Sequence, residues 1–440
     1  MSAISRRTLL DSTLKGAGLL AVAGHASRIL GANDRANVAV IGVGGRGSAH
    51  INYWTKTPGA RLAGLCDVNQ AALERGSALA QKAAGEKPKE HADMRQVFAD
   101  KDIDAVAITT PNHWHALATI WAVQAGKDVY VEKPACHNVY EGFKMVEAAR
   151  KYNRMVQVGS QGRSMPLKQR AVELLSKGEI GEIYMAKGLC YKRRKSIGHT
   201  PELDQPPAGI NWDYFLGPAP MRKYSENRYK YNWHWFWDTG NGDIGNQGVH
   251  EMDFARWGLG VDLPLSVVST GGKYVYDDDQ ETPNTQLASF NYGPKELVFE
   301  VRGLPTGGEA GIKSDGANKI GNVFWGAEGW MAVGDDGLQV YKGDKSEKVM
   351  DEKSGPDAGD TIPHMTNFVK AIQSRNYKDL NADVEIGVLS ASLCHLANIS
   401  YRVRKELAWD AANRWFENDV QANLLLTRQY RRPYVVPDRV

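Results

Sequence analysis

One stretch leaves few options for the fold around it: "NVAVIGVGGRGSAH", residues 37–50. An apolar, β-branched run feeds directly into Gly42, Gly44 and Gly47, spaced G-x-G-x-x-G, with Gly45 and Arg46 filling the gap. Strand, glycine turn and helix in that order are what a phosphate-cradling βα unit requires. The first glycine allows the tight turn and the second lets backbone approach a pyrophosphate. The third lets the helix pack on the strand with its N-terminus facing the anion. Alone the spacing is a weak signal, and the next strand decides it. "RLAGLCD" (61–67) ends in Asp67, where a carboxylate can accept from both hydroxyls of an adenosine ribose and would repel a 2′-phosphate. The expected cofactor is therefore NAD rather than NADP.

The alternation continues. "DIDAVAITTP" (102–111), "DVYVEKP" (128–134) and "RMVQVGSQ" (154–161) read as buried strands, with helices over 115–127 and 141–153 between them. Buried strands alternating with helices imply a parallel sheet, whose ligand-facing groups lie at the carboxyl ends of the strands. Those groups are Thr110, Pro111 and Asn112, then Glu132 and Lys133, then Gln161, with His115 at the start of a helix. From about residue 161 the pattern changes to short strands and hairpins. Tyr292-Gly293-Pro294-Lys295 supplies one turn and Asp336-Gly337 another. A strand is expected over 265–276, and two helices near 361–374 and 384–405. The glycine-rich segment 303–328 reads as a long surface loop. The fold class is α/β. Residues 34–160 form a Rossmann domain with a doubly wound parallel sheet. Residues 161–440 form an α+β substrate and oligomerisation domain with an open, mainly antiparallel sheet.

Residues 1–33 have a different character. Arg6 and Arg7 precede a mildly apolar, glycine- and alanine-rich stretch within "SRRTLLDSTLKGAGLLAVAGHA" (5–26). The apolar run is too short for an ordinary membrane span, and the twin-arginine pattern is read by the route that exports folded proteins. Such export suits a protein that acquires its cofactor before leaving the cytoplasm. An exported, periplasmic protein without a stable membrane anchor is expected. The formal net charge is +3 and the nearest basic run is "YKRRKS" (191–196), which argues against nucleic acid as a partner. The four cysteines are scattered with no C-x-x-C pair, so neither zinc nor a disulfide framework is suggested. His234, His250, Glu251 and Asp253 match no familiar ligand spacing, and no metal is expected.

"GNGDIGNQGVHEMD" (240–253) sets His250 behind a run of glycines, just after the aromatic run "NWHWFWD" (232–238). With "GVGGRG", "TPNHWHA" (110–116), "EKP" (132–134), "NWDYFLGP" (211–218) and "HLANISYRVRKELAWD" (395–410), it makes the chain resemble the Gfo/Idh/MocA oxidoreductase family over essentially everything after the N-terminal segment. The twin-arginine start resembles the exported, carbohydrate-active branch of that family. The resemblance implies that Lys133 sits beside the nicotinamide and the reacting hydroxyl. It also implies that Asn112 and His115 line the nicotinamide ribose and that His250 accepts the proton. A lysine at a strand end can indeed polarise a forming carbonyl oxygen, and imidazole suits proton transfer. The family pattern reads D-x-x-x-H, and Asn246 stands here in place of the Asp. Asn246 can orient an imidazole but cannot stabilise an imidazolium by charge. Asp243 and Asp238 are the nearest carboxylates in sequence, and Asp253 would share a helical face with His250. Arg163, Tyr191, Lys192, Trp233, Trp235 and Asp238 are expected to shape a sugar site, since flat aromatic faces suit ring substrates. The implied activity is hydride transfer between nicotinamide and a ring hydroxyl of a sugar or glycoside. The alternative is NAD-dependent glycoside hydrolysis by transient oxidation, elimination, water addition and re-reduction. Family members form dimers or tetramers, so a homo-oligomer is expected.

Overall fold

Strand β1 (Ala36–Ile41) is apolar on both faces because it lies in the interior of a sheet covered from two sides. The computed structural model describes residues 35–440 apart from 308, 310–311, 313–317, 335 and 356–358, so the Arg6–Arg7 segment lies outside the described residues. Beside β1 run β2 (Ala60–Cys66), β3 (Lys89–His91), β4 (Ala105–Ile108), β5 (Asp128–Val131) and β6 (Val156–Val158). Their order is β3-β2-β1-β4-β5-β6, all parallel, the doubly wound arrangement that opens its ligand crevice where the order reverses. Helices α1 (Gly45–Lys56), α2 (Gln70–Ala84), α3 (Met94–Ala99), α4 (Asn112–Gln124) and α5 (Val139–Lys151) make the crossovers. Local signals set their ends. Asn69 caps α2 by accepting from the N–H groups of Ala71 and Ala72, and Gly85 ends it in the left-handed conformation.

The second half builds a ten-stranded sheet. In chain order it adds α6 (Pro166–Ser176), β7 (Ile183–Tyr191), α7 (Trp212–Leu216), α8 (Gly242–Asn246), α9 (Gly248–Leu259), β8 (Ser266–Gly272), β9 (Thr285–Asn291) and β10 (Glu296–Arg302). There follow β11 (Lys319–Gly326), β12 (Gly329–Gly334), β13 (Gly337–Lys342), β14 (Glu347–Lys353), α10 (Ile362–Ser374), α11 (Val384–Val403), β15 (Leu407–Asp410), β16 (Trp415–Phe416) and α12 (Val420–Leu424). The sheet order is β14-β13-β12-β11-β7-β10-β9-β8-β15-β16. Neighbours are antiparallel except β7 and β10. Helices α9 and α11 cover one face, where Met252, Phe254, Phe290, Phe299 and Phe324 form the core. Helix α9 sits unusually low on that face, because a Cβ on Gly248 would come within 2.3 Å of the Phe299 ring.

The expected loop over 303–328 is corrected at its end: residues 319–326 are strand β11, paired between β7 and β12. Its glycines mark close backbone approach rather than a loop. A Cβ on Gly326 would lie 2.2 Å from the Ile180 carbonyl oxygen. Buried Asn322 also broke the apolar pattern, and it is satisfied by donating to the Glu251 carbonyl at 2.8 Å.

Two late segments return to the first sheet. Met365, Phe368, Val369 and Ile372 of α10 pack with Val38, Val40, Trp54 and Tyr130. At the other face, Tyr434 meets Trp114 edge-on at 5.4 Å, and Val436 and Val440 join the same cluster. That cover explains why α4 is buried almost all round. Tyr434→Ala is expected to cost about 3 kcal/mol of unfolding free energy. Tyr434→Phe, which loses only the 2.9 Å hydroxyl bond to Asp213, is expected to cost about 1 kcal/mol. Urea unfolding of both variants checks this, and equal losses would contradict the packing assignment.

Candidate active site

At the carboxyl end of the first sheet the glycine loop has the shape a dinucleotide needs. Gly42 lies at φ +89°, and a Cβ there would sit 3.0 Å from the Thr110 backbone nitrogen. A Cβ on Gly47 would sit 1.8 Å from the Gly42 carbonyl oxygen, so α1 can pack on β1 only with glycine at that position. Gly44 and Gly45 differ: a Cβ on either would meet nothing within 4 Å. They border open space in front of α1, whose N-terminus has no side-chain cap and so presents backbone N–H groups to an anion. Asp67, past the end of β2, accepts from Val43 N at 2.7 Å and Asn69 N at 2.8 Å, which fixes its carboxylate beside the loop. The Thr110 hydroxyl, just past β4, is buried and has no hydrogen-bond partner among the described residues. Open space at two glycines, a fixed carboxylate and an orphaned hydroxyl on one crevice fit a bound dinucleotide.

The end of β5 gathers the ionisable groups. Glu132 Oε1 accepts from Arg46 Nε at 2.8 Å and from Gln161 Nε2 at 3.3 Å, and His50 Nε2 lies 2.8 Å away. Burial alone would raise this carboxyl, but Arg46 and His50 outweigh it and hold it well below the ordinary value. Lys133 Nζ donates to the Asn246 carbonyl oxygen at 2.5 Å and reaches Asn246 Oδ1 at 3.4 Å. Burial lowers the Lys133 pKa, opposed by Glu132. The Asn246 amide in turn donates to the Tyr231 hydroxyl at 2.9 Å and Asp243 Oδ1 at 3.3 Å. Asp243 is gripped by Arg194 through two bonds of 2.9 and 2.6 Å. Arg194 also donates to Tyr231 at 3.0 Å and lies 5.3 Å over the Trp235 ring. One network thus runs from Lys133 to the aromatic run.

Two half-buried imidazoles lie close enough to Lys133 to feel its charge. His250, in the first turn of α9, is lowered to about 3 by burial and by the cations Lys133 and Lys168. His234 is likewise lowered to about 3, chiefly by burial. Its ring stacks on Trp233 at 3.6 Å, and its Nδ1 lies 2.6 Å from the Tyr231 carbonyl oxygen. Gly240 permits that turn, since a Cβ there would lie 2.3 Å from the His234 carbonyl oxygen. Both rings are neutral bases at ordinary pH. Among the described residues, neither Asn246 nor Asp253 is hydrogen-bonded to the His250 ring.

The remaining predicted residues have other partners. Asp253 and Arg163 form a buried pair at 2.9 Å, with Ser390 donating to Asp253 at 2.6 Å. Asp238 pairs with Arg222 at 2.8 Å. Tyr191 lies on the opposite face of the second sheet, where its hydroxyl donates to Glu300 at 3.0 Å. Lys192, just past the strand end, is half-buried. His115 is fully buried, its ring nitrogens 2.7 Å from the Pro134 carbonyl and 2.8 Å from that of Thr110. It therefore ties the β4 and β5 ends together. Asn112, following the capping Pro111, donates to Asn241 at 2.9 Å and ties α4 to the glycine motif. Sequence reasoning took "YKRRK" and "NWHWFWD" as stretches that shape the sugar site without naming Arg194 or His234 individually, and it missed Tyr231. Tyr231 and His234 were findable by proximity to Trp233.

Because Glu132 is held below its unfolded value of about 4.5, its contribution to stability is present above that pH and is lost as pH falls through the folded value. Glu132→Gln is expected to cost about 3 kcal/mol at neutral pH, since it leaves Arg46 unpaired. The deficit relative to the parent should shrink at acid pH. Urea unfolding from neutral pH down to about pH 2 checks this, and a pH-independent deficit would contradict it.

Comparison with known proteins agrees with this architecture. A family model described as an oxidoreductase family with an NAD-binding Rossmann fold matches residues 36–160. Its companion, the C-terminal alpha/beta domain of that oxidoreductase family, matches residues 181–278 and 327–436. A glycosyl hydrolase family 109 protein of Shewanella pealeana is 32% identical over 120 residues, 26% of each chain. A protein of the same description from Saccharopolyspora erythraea is 26% identical over 207 residues, 42% of this chain and 45% of that protein. The chain thus spans between about a quarter and a half of the length of these curated relatives. Among solved structures, the WlbA dehydrogenase of Bordetella pertussis, in complex with NADH and UDP-GlcNAcA, superposes with a TM-score of 0.63 at 19% identity, covering 86% of this chain and 99% of that one. A levoglucosan dehydrogenase in complex with NADH and levoglucosan gives 0.64 at 20% identity, covering 85% and 99%. These two likenesses show a shared fold. With both of its halves matched by the family's models, the chain belongs to the Gfo/Idh/MocA family of oxidoreductases and carries that family's NAD-binding Rossmann domain.

Proposed function

We propose that the protein is an exported, homo-oligomeric NAD-dependent oxidoreductase acting on a ring hydroxyl of a sugar or glycoside. The observation that carries this reading is the placement of Lys133. Its amine stands at the carboxyl end of the Rossmann sheet, hydrogen-bonded to Asn246 and adjoining the network that reaches Tyr231 and Trp235. Bound NAD supplies a hydride acceptor or donor, and Gly44, Gly45, Asp67 and Thr110 are the residues that would hold it. Lys133 polarises the substrate oxygen, and a partly desolvated ammonium facing a neutral carbonyl is well suited to donate there. His250, kept neutral by burial and nearby cations, accepts the hydroxyl proton. Neutral His234 lies close by on the aromatic side. Tyr231, Trp233 and Trp235 offer flat faces to a sugar ring. Arg6 and Arg7 support export.

A second reading is favoured by one observation: the sequence relatives above are glycosyl hydrolases. In that cycle the same oxidation is reversed after the aglycone leaves, so no net nicotinamide change accumulates. Release of an aglycone without net NADH separates the two readings.

Lys133→Met is expected to lower kcat/KM by at least about a hundredfold, with NAD binding and the circular dichroism spectrum retained. Full turnover in that variant would overturn the reading. His250→Ala is expected to lose about a hundredfold as well. Since His250 titrates at about 3, the pH profile should show no ionisation near the ordinary imidazole value of about 6.5. Activity should instead fall as pH rises through the lowered Lys133 value, below 10.5. Asn246→Asp adds a carboxylate beside the amine and should move that alkaline limb to higher pH.

A further inference from the structure

Three of the carboxylates around the site are each taken up by an arginine. Glu132 takes Arg46, Asp243 takes Arg194 and Asp253 takes Arg163. Lys133 turns to Asn246. One further ammonium stands close by. Lys168 lies in the first turn of α6, just after Pro166, with no acidic residue in that turn. This is the helix end at which a cation is least favourable.

Its position is well defined. Lys168 Nζ lies 5.1 Å over the Phe254 ring, and a Cβ on Gly162 would lie 3.4 Å from that nitrogen. Gly162 follows Gln161, whose amide touches Glu132. Phe254 follows His250 by one helical turn on the same face of α9. The half-buried amine therefore lies beside Gly162 and one helical turn along from His250, near enough for its charge to act on that ring, and among the described residues no hydrogen bond or ion pair of its side chain is seen. The cation–π contact alone offsets little of the desolvation of an ammonium. The pyrophosphate is not the missing partner by location. It belongs at the α1 N-terminus beside β1, whereas Lys168 lies past the end of β6, three places along the sheet order.

We infer that Lys168 binds an anionic substituent of the carbohydrate, a carboxylate or a phosphate, and so selects acidic over neutral sugars. The inference rests on the sugar-oxidoreductase reading and sharpens it. An acidic sugar brings an anion to an amine that has no ion-pair partner among the described residues, and a charge-assisted bond at a half-buried amine discriminates strongly against the neutral parent sugar.

The test is a tryptophan-fluorescence titration of the NAD-loaded protein. The probes are glucose, glucuronate and glucose 6-phosphate, with the matching galactose, galacturonate and galactose 6-phosphate. Bound-nicotinamide absorbance is followed in the same samples. The parent protein should bind at least one acidic sugar about tenfold more tightly than its neutral counterpart. Uronate or phosphate ester as the preferred form identifies the anion. In Lys168→Met that preference should fall to about one, whereas Lys168→Arg should keep most of it. An undiminished acidic preference in Lys168→Met overturns the assignment, as does equal binding of neutral and acidic sugars by the parent. If neutral sugars reduce the bound cofactor without any acidic preference, the oxidoreductase reading stands and the Lys168 role fails. If no sugar binds or reduces it, both fail.

Discussion

Glu132 is the charge around which the active-site crevice is assembled. Taking a carboxylate out of water costs several kcal/mol unless fixed donors replace the water. Here the donors come from separate pieces of chain: Arg46 from α1, Gln161 from the turn after β6 and the Lys133 backbone N–H from the β5 end. His50 closes the set at 2.8 Å. Satisfying one buried charge therefore fixes the glycine loop, the β5 end and the β6 end relative to each other. Even Gly159 belongs to this arrangement, because a Cβ there would come within 3.0 Å of the Glu132 carboxylate. Lys133 is the next residue along, so its amine is delivered to a defined place rather than left to find one.

The partner it finds there is a neutral one. An aspartate at position 246 would offer Lys133 a carboxylate, whereas Asn246 offers a backbone carbonyl and an amide oxygen. The nearby carboxylate, Asp243, is bound by Arg194. The amine is thus held in position without being strongly stabilised as a cation, in keeping with its lowered pKa. Burial, reinforced by the nearby cations, keeps His250 and His234 unprotonated. A weakly held ammonium beside two neutral imidazoles is a workable set for moving a proton off a hydroxyl while its oxygen becomes a carbonyl.

The first sheet was legible because its signals are local. Buried strands in alternation with helices, and glycines that sterics demand at Gly42 and Gly47, can be read from a short window. The ligand-facing strand ends followed from the same topology. Partner choice over long separations was not legible. Nothing around Arg163 indicates that its guanidinium goes to Asp253, 90 residues away. Nor does the sequence near Asp238 point to Arg222. Tyr191 was assigned to the crevice although β7 turns it outward, and one step of strand alternation separates it from Cys190 on the helix-covered face. Strand β11 was hidden for a different reason. Its glycines are places where another backbone comes close, and composition alone cannot distinguish those from a loop.

The central claim, that this crevice oxidises a carbohydrate with a nicotinamide held by the Rossmann half, is tested most directly by absorbance of the protein as isolated. The spectrum would be recorded before and after a pool of simple sugars and glycosides is added, with no NAD supplied. The account predicts a reduced-nicotinamide band that appears with sugar. Denatured protein that releases no nicotinamide, together with no band when NAD and the sugar pool are both supplied, would contradict it.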